Sequence, residues 1–302
     1  MSIAPDFDRT AERIRYIHRF IFAVIGVAIC LIAWGGFVTS IDAGLAVPDW
    51  PTSFDSWDAL NPWPDWWTIT PVLAEHGHRL LGALVGTLTV IMAISIWRVD
   101  PRPGVRGLAL GALAVVVLQG VLGGLRVVLI SLDLAIVHAL TAQIFFALLV
   151  TLAVMTSRSW LHRRATDERD EARSSLARLA AITALMILVQ IGLGALLRHP
   201  GRGISVSLAV AHMIGATVVF ALVFALIMKT VRHHGADKTL VKAVHTLSGI
   251  LFVQIVLGFT AYFVLLNESG MLVPSNFQVV ANTLHLVIGT LLWGTAVGIA
   301  VW

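Results

Sequence analysis

Eight apolar stretches of about 20 residues or more divide the chain, separated by shorter polar segments. They lie at about 20–40, 75–97, 107–129, 135–156, 178–197, 206–228, 243–266 and 278–301. An α-helix rises 1.5 Å per residue, so roughly 20 apolar residues cross the ~30 Å hydrocarbon core of a bilayer. Each stretch meets that length. None shows the alternation in segments of about ten residues that a membrane β-barrel requires. The pattern predicts an all-α integral membrane protein with eight transmembrane helices.

The polar segments set the orientation. Arg9, Arg13, Arg15 and Arg19 precede span 1, and Arg98, Arg102 and Arg106 follow span 2. Arg158, Arg163, Arg164, Arg169, Arg173 and Arg178 follow span 4, and Lys229, Arg232, Lys238 and Lys242 follow span 6. Of the 21 basic residues, only Arg79, Arg126, Arg198 and Arg202 fall on the opposite side. The positive-inside rule then places both termini in the cytoplasm. Met1–Arg19 reads as a cytoplasmic tail before a retained first span rather than a cleaved leader.

Segment 157–177 reads as a cytoplasmic linker between two halves, 1–156 and 178–302, with four spans in each. The halves echo each other. Span 3 carries Gln119-Gly-Val-Leu-Gly123, span 5 carries Gln190-Ile-Gly-Leu-Gly194, and span 7 carries Gln254-Ile-Val-Leu-Gly258. An even number of spans per repeat preserves orientation, so the expected pseudo-twofold axis runs along the membrane normal. The outer segment 41–74 has no Lys or Arg before the second span and is rich in Trp, Pro and Asp. It reads either as an interfacial plug or as a lid over an outward-facing site.

Composition agrees with this pattern. The chain of 302 residues is 58% hydrophobic and 13% charged, against about 25% charged in soluble domains. The net charge of +4 comes from short loops, which report topology and argue against a nucleic-acid partner. Cys30, the only cysteine, excludes an intramolecular disulfide and any Cys-rich zinc or iron–sulfur site. Cys30 itself reads as a small apolar residue of the core.

Four of the eleven histidines stand apart. His78, His138, His212 and His285 fall one in each even-numbered span, within about two turns of its outer end, two per half. Ionisable groups inside a membrane are costly and mark function. Four residues after each, on the same helical face, stands Gly82, Ala142, Ala216 or Gly289. Small residues there clear space for a flat macrocycle, although they also serve close helix packing. Catalytic zinc prefers three close ligands, often with a carboxylate. Paired imidazoles from different helices suit haem iron better. His76, His199 and His245 read as polar interface groups, and His162, His233 and His234 as solvated loop residues.

Glu75 precedes His78 by three and Arg79 by four. It is either an ordinary helix-terminal acid paired with Arg79 or a carboxylate beside a bound substrate. Arg79, Arg126 and Arg198, near the outer ends of their spans, are candidate partners for haem propionates, since Arg grips carboxylates in bidentate fashion. Membrane-interface anchoring is the other reading of Arg126 and Arg198.

With these features the sequence resembles the haem A synthase family over nearly its whole length. The resemblance rests on TSIDAGLAVPDWP (Thr39 to Pro51), EHGHR (Glu75 to Arg79), the three Q-x-x-L-G repeats and the four even-span histidines. It implies two four-helix bundles joined by a cytoplasmic linker, in a bacterial cytoplasmic membrane. It also implies conversion of the C8 methyl of haem O to a formyl group, in support of terminal oxidase assembly. His212 and His285 match the ligands of a haem b cofactor, His78 and His138 those proposed for the substrate haem, and Glu75 the acid considered catalytic. Haem O synthase and oxidase assembly factors are the implied partners, and self-association is compatible with this reading. Some members carry a cysteine pair flanking P-D-W-P; here those positions are Val47 and Ser53, so any thiol role in that loop is absent.

Two other readings of the residues remain. A b-type cytochrome that carries electrons without modifying haem would also use four histidines, but needs neither Glu75 nor the P-D-W-P loop. A transporter would fit the repeat, but the spans lack the internal proline breaks expected of discontinuous helices.

Overall fold

The computed structural model describes residues 4–164, 171–198, 205–267 and 274–302. The described residues are helical apart from the loops. In chain order the helices are α1 (Ala4–Ser40), α2 (Thr70–Val99), α3 (Pro103–Val128), α4 (Leu132–Thr156), the short α5 (Arg158–Arg164), α6 (Glu171–Arg198), α7 (Val206–His233), α8 (Lys238–Asn267) and α9 (Asn276–Val301). All but α5 contain a stretch long and apolar enough to cross a membrane, eight in total. The helices extend beyond the apolar stretches because their polar ends remain helical; α2 begins five residues before the predicted 75. The turn at α5 was not expected. Arg202 and His199, and residues 165–170 of the linker, lie outside the described residues.

The first four long helices pack in a closed order, α1 on α2, α2 on α3, α3 on α4 and α4 back on α1. The last four do the same through α6, α7, α8 and α9. Between these sets, α9 packs on both α1 and α4, and α4 also packs on α6. Short polar devices fix the helix starts. Pro71 stands in the first turn of α2, where its missing N–H costs nothing. Ser131, Ser205 and Ser275 cap α4, α7 and α9, accepting from Leu134, Leu208 and Gln278. His78, His138 and His212 each follow such a start by seven residues, and His285 by ten, which sets their depth.

One apolar core runs through both sets and includes Phe146, Leu149, Leu152, Leu226 and Leu247. Large side chains such as Phe252, 70% exposed, and Phe259 and Phe263 cover the outside. A lipid-facing surface is free to be apolar, so helix contacts rely on small residues and a few polar ties. At the α4–α9 contact a Cβ on Gly294 would lie 2.6 Å from Phe146. Beside it Trp293 donates to the Gln143 carbonyl at 3.0 Å, and Gln143 donates to Thr290 at 3.1 Å. Where α2 turns into α3, the guanidinium of Arg102 pairs with Asp100 at 2.6 Å and also reaches the Met155 carbonyl at 2.8 Å, tying the α2–α3 corner to α4.

Because Phe146 is fully enclosed, Gly294→Val has no direction in which to expand. Overpacking of this kind costs about 1–3 kcal/mol, and a lowered thermal midpoint in detergent is the expected result. An unchanged midpoint would show that α4 and α9 are not in intimate contact there.

Candidate functional site

Each of the four even-span histidines meets a glycine of the preceding helix. A Cβ built on Gly35 of α1 would lie 3.0 Å from the His78 ring, and one on Gly123 of α3 would lie 3.1 Å from His138. Gly194 of α6 stands in the same relation to His212 at 3.4 Å, and Gly258 of α8 to His285 at 3.1 Å. A side chain at Gly35, Gly123 or Gly258 would crowd the Cε1 edge of the imidazole, whereas Gly194 leaves ordinary contact distance. The second glycine of two of these turns serves another contact. Gly36 faces Leu286 and Thr283 of α9, and Gly124 takes the indole of Trp50.

The seats bring the rings together in pairs. The ring centres of His78 and His138 are 6.4 Å apart with planes at 67°, and those of His212 and His285 are 6.4 Å apart at 65°. A metal–imidazole bond of about 2.0–2.1 Å, with the ring radius added on either side, separates the centres of a linear two-imidazole site by about 6–6.5 Å. Both pairs meet that requirement. Among the described residues no group of three or more His, Cys, Asp or Glu side chains converges to hold a metal ion; each pair offers two imidazoles. The Nδ1 atoms of His78, His212 and His285 are buried without a hydrogen bond. Two axial imidazoles in an apolar bundle are the donor set of a haem, and the residues present fit that group.

The Q-x-x-L-G glutamines support the rings. Gln119 donates to the His138 carbonyl at 2.8 Å, while His138 Nδ1 lies 3.1 Å from the Gln119 carbonyl. With Nδ1–H donating there, Nε2 keeps its lone pair for a metal. Gln190 donates to the His212 carbonyl at 2.7 Å. Gln254 lies on the ring of His285, Nε2 to Nε2 at 3.3 Å. The small residues that follow the histidines divide in purpose. Gly82 has open space around its Cβ position, whereas Gly289 faces the Gln254 amide at 3.1 Å.

Glu75 is buried, and both its oxygens are engaged. Oε1 pairs with Arg79 at 2.9 Å, and Oε2 accepts from the Val47 amide at 2.9 Å. Arg79 also donates to the carbonyls of Asp49 at 2.7 Å, Val47 at 3.0 Å and Thr52 at 3.1 Å. The P-D-W-P segment is thereby docked on α2. The Asp49 carboxylate accepts from Thr52, from the Phe54 amide at 2.7 Å and from the Asp55 amide at 2.9 Å. Partial burial raises the Asp49 pKa, but these hydrogen bonds outweigh it and hold the group below the ordinary carboxylate value. Trp50 rests on Gly124, and Arg126 donates to the Gly44 carbonyl at 2.7 Å. Farther along, His76 reaches the Ala59 carbonyl at 2.9 Å and stacks near Trp66. The outer loop is a cover stitched to the helix turn that carries His78.

Arg198 reaches from α6 to α1, donating to the Gly36 carbonyl at 2.6 Å and to Ser40. Its buried Nε has no partner, and neither Arg126 nor Arg198 forms an ion pair among the described residues. His245 bonds within its own helix to the Val241 carbonyl. His18, which drew no attention in the sequence, ties α1 to α4 through Thr156 at 3.1 Å. It lies between Ile17 and Arg19, just before the first apolar stretch, and nothing in the sequence set it apart.

Arg79→Leu removes three bonds to the cover, so amide exchange across residues 47–56 should rise at least tenfold, with α6–α9 unaffected. The Asp49 contribution has a defined sign. A depressed carboxylate stabilises fully above its unfolded pKa of about 3.9 and loses that contribution as pH falls through the lower folded value. Protection factors in the same segment, taken against the intrinsic exchange rate at each pH, should therefore fall in acid, and Asp49→Asn should flatten that pH dependence. Equal pH dependence in both proteins would remove Asp49 from the account.

Much of the chain is similar to known proteins. The family described as cytochrome oxidase assembly protein matches residues 18–210. A protein named heme A synthase from Beijerinckia indica subsp. indica is 27% identical over 212 residues, 60% of this chain and 58% of that protein. One of the same name from Symbiobacterium thermophilum is 32% identical over 188 residues, 59% of this chain and 58% of that protein. Another from Methylobacterium radiotolerans is 26% identical over 238 residues, covering 68% and 61%. The chain spans less than two thirds of the length of these curated relatives. The match to residues 18–210 runs from α1 into α7, covers more than half of the chain and takes in His78 and His138, and on that basis the chain belongs to the cytochrome oxidase assembly protein family, the haem A synthase family that its motifs resemble.

Proposed function

We propose that the protein is an oxidoreductase that converts the C8 methyl of haem O to a formyl group, yielding haem A. The observation that carries this reading is the pair of imidazole sites with the same 6.4 Å separation. Among the described residues one pair is flanked by helices, and the other adjoins the turn on which the acidic loop is docked. In this reading the halves are two bundles related by a pseudo-twofold axis along the membrane normal. Both termini face the cytoplasm, and the membrane is a bacterial cytoplasmic one.

His212 and His285 hold a resident haem b, and His78 and His138 hold the substrate. Bound haem b supplies one-electron chemistry; the chain's own residues do the rest. Glu75, on the face of α2 that carries His78, holds or moves a proton beside the reacting edge. Arg79 and the Val47 amide keep its carboxylate in place. Trp50 and the rest of the cover exclude water, which strengthens every electrostatic interaction beneath it. Arg126 and Arg198 are buried cations near the two sites and suit haem propionates, as does Arg79 at the rim. The farnesyl tail of the substrate favours access from the bilayer. Haem O synthase and oxidase assembly factors are the natural partners.

Co-expression with a haem O synthase in a host lacking haem A, followed by chromatography of extracted haems, tests the activity. Haem A or its hydroxylated intermediate is expected; folded protein that yields neither defeats the reading. His285→Ala should remove the resident haem b. His78→Ala should abolish turnover and leave that haem in place, as measured by haem-to-protein ratio.

A further inference from the structure

At the end of the first four helices opposite the acidic loop, the start of α1 and the end of α2 part to leave a groove of about 460 Å³. Arg13, Tyr16 and Ile17 line it from α1, and Ser95, Arg98 and Val99 from α2. The groove lies on the side of the membrane where the chain's basic residues gather. Two arginines far apart in sequence therefore share one rim.

No acid of the protein answers them. Arg13 and Arg98 form no ion pair among the described residues. Asp100, two residues beyond Arg98, is buried and held by Arg102 at 2.6 Å, and Arg106 takes its main-chain carbonyl at 2.7 Å. Like charges brought to one rim repel, and an anion between them removes that cost. Guanidinium groups match phosphate oxygens in geometry as well as charge.

Below the rim the surface is apolar. Four residues before Ser95 and Arg98, on the same faces of α2, stand Ile91 and Ile94, each 47% exposed. They lie one turn deeper in the membrane, and Ile17 and Val99 wall the groove itself. Trp97, 52% exposed with Arg106 at 5.3 Å over its ring, marks the interfacial level. A soluble anion has no use for the apolar flank, and a lipid without net charge has little use for two free guanidinium groups. An anionic phospholipid uses both, and the cytoplasmic leaflet supplies such lipids.

We infer that this groove is a binding site for an anionic phospholipid. Arg13 and Arg98 hold the phosphate, and the acyl chains lie along α2 over Ile94 and Ile91. The site is independent of what the histidines hold. It joins α1, which carries Gly35, to α2, which carries His78, at the ends remote from that contact.

The full-length protein in a neutral detergent would be titrated with phosphatidylglycerol, phosphatidylcholine or inorganic phosphate, and the bound species resolved by native mass spectrometry. Phosphatidylglycerol should bind about tenfold more tightly than phosphatidylcholine, which carries the same phosphate without net charge. Arg13→Gln combined with Arg98→Gln should abolish that preference. Ser95→Phe, which fills the groove and leaves both cations, should abolish it too. Arg15→Gln combined with Arg232→Gln removes the same charge from exposed positions outside the groove and should preserve it. Equal binding of the two lipids overturns the inference. So does a preference that either groove variant keeps or that the control pair loses. Inorganic phosphate that displaces phosphatidylglycerol at equal concentration would make this a free-anion site and overturn the lipid assignment. If neither groove variant folds, the three probes on the wild-type protein decide.

Discussion

The arrangement depends on one steric condition. An imidazole on one helix packs edge-on against the backbone of the next, and glycine gives it the room without displacing the ring. Gly35, Gly123, Gly194 and Gly258 meet the condition at four places, with ring approaches of 3.0–3.4 Å for a hypothetical Cβ. In an apolar medium the hydrophobic effect does not draw helices together, so close packing has to come from small residues and interhelical hydrogen bonds. The glycine seats and the glutamine contacts are those two devices, placed one turn apart on the same helix. Together they hold each pair of rings at the separation of a metal flanked by two nitrogens.

The two sites share this frame and differ in what surrounds it. Around His212 and His285 the visible support is helical. Around His78 the support comes from a loop whose polar groups are almost wholly consumed in holding it down. Glu75 and Arg79 form the joint, and Asp49, Trp50 and Gly44 are the points it secures. A buried acid–base pair is costly to desolvate and is tolerated when every remaining lone pair and N–H is satisfied. Here the Val47 amide and three carbonyls complete that set. The same residues that could act on a substrate thus determine whether the site is covered.

Helix α9 links the two sites. It carries His285, packs on α1 and α4 of the first set, and places Leu286 against Gly36, the neighbour of the glycine beneath His78. The adjacent glycines Gly35 and Gly36 thus take part in two contacts, one with His78 and one with α9 next to His285 in the chain.

Much of this was legible in the sequence, for a physical reason. A bilayer demands long apolar helices, so spans stand out by length, and an ionisable residue inside one is conspicuous by its cost. The eight spans and the histidines at 78, 138, 212 and 285 could be read on those grounds, and the Q-x-x-L-G repeats by simple recurrence. What the repeats are for could not. The small residue four positions after each histidine was the visible spacing, because i and i+4 share a face within one helix. The decisive glycines lie on the preceding helix, and no spacing within a chain gives the register of one helix against another. Likewise EHGHR and P-D-W-P announced themselves as motifs, but that Arg79 clasps three carbonyls of the loop and that Trp50 rests on Gly124 emerged only from the fold. Apolar length and buried charge are properties of the chain, whereas the fit of a ring on a facing backbone belongs to the packed structure.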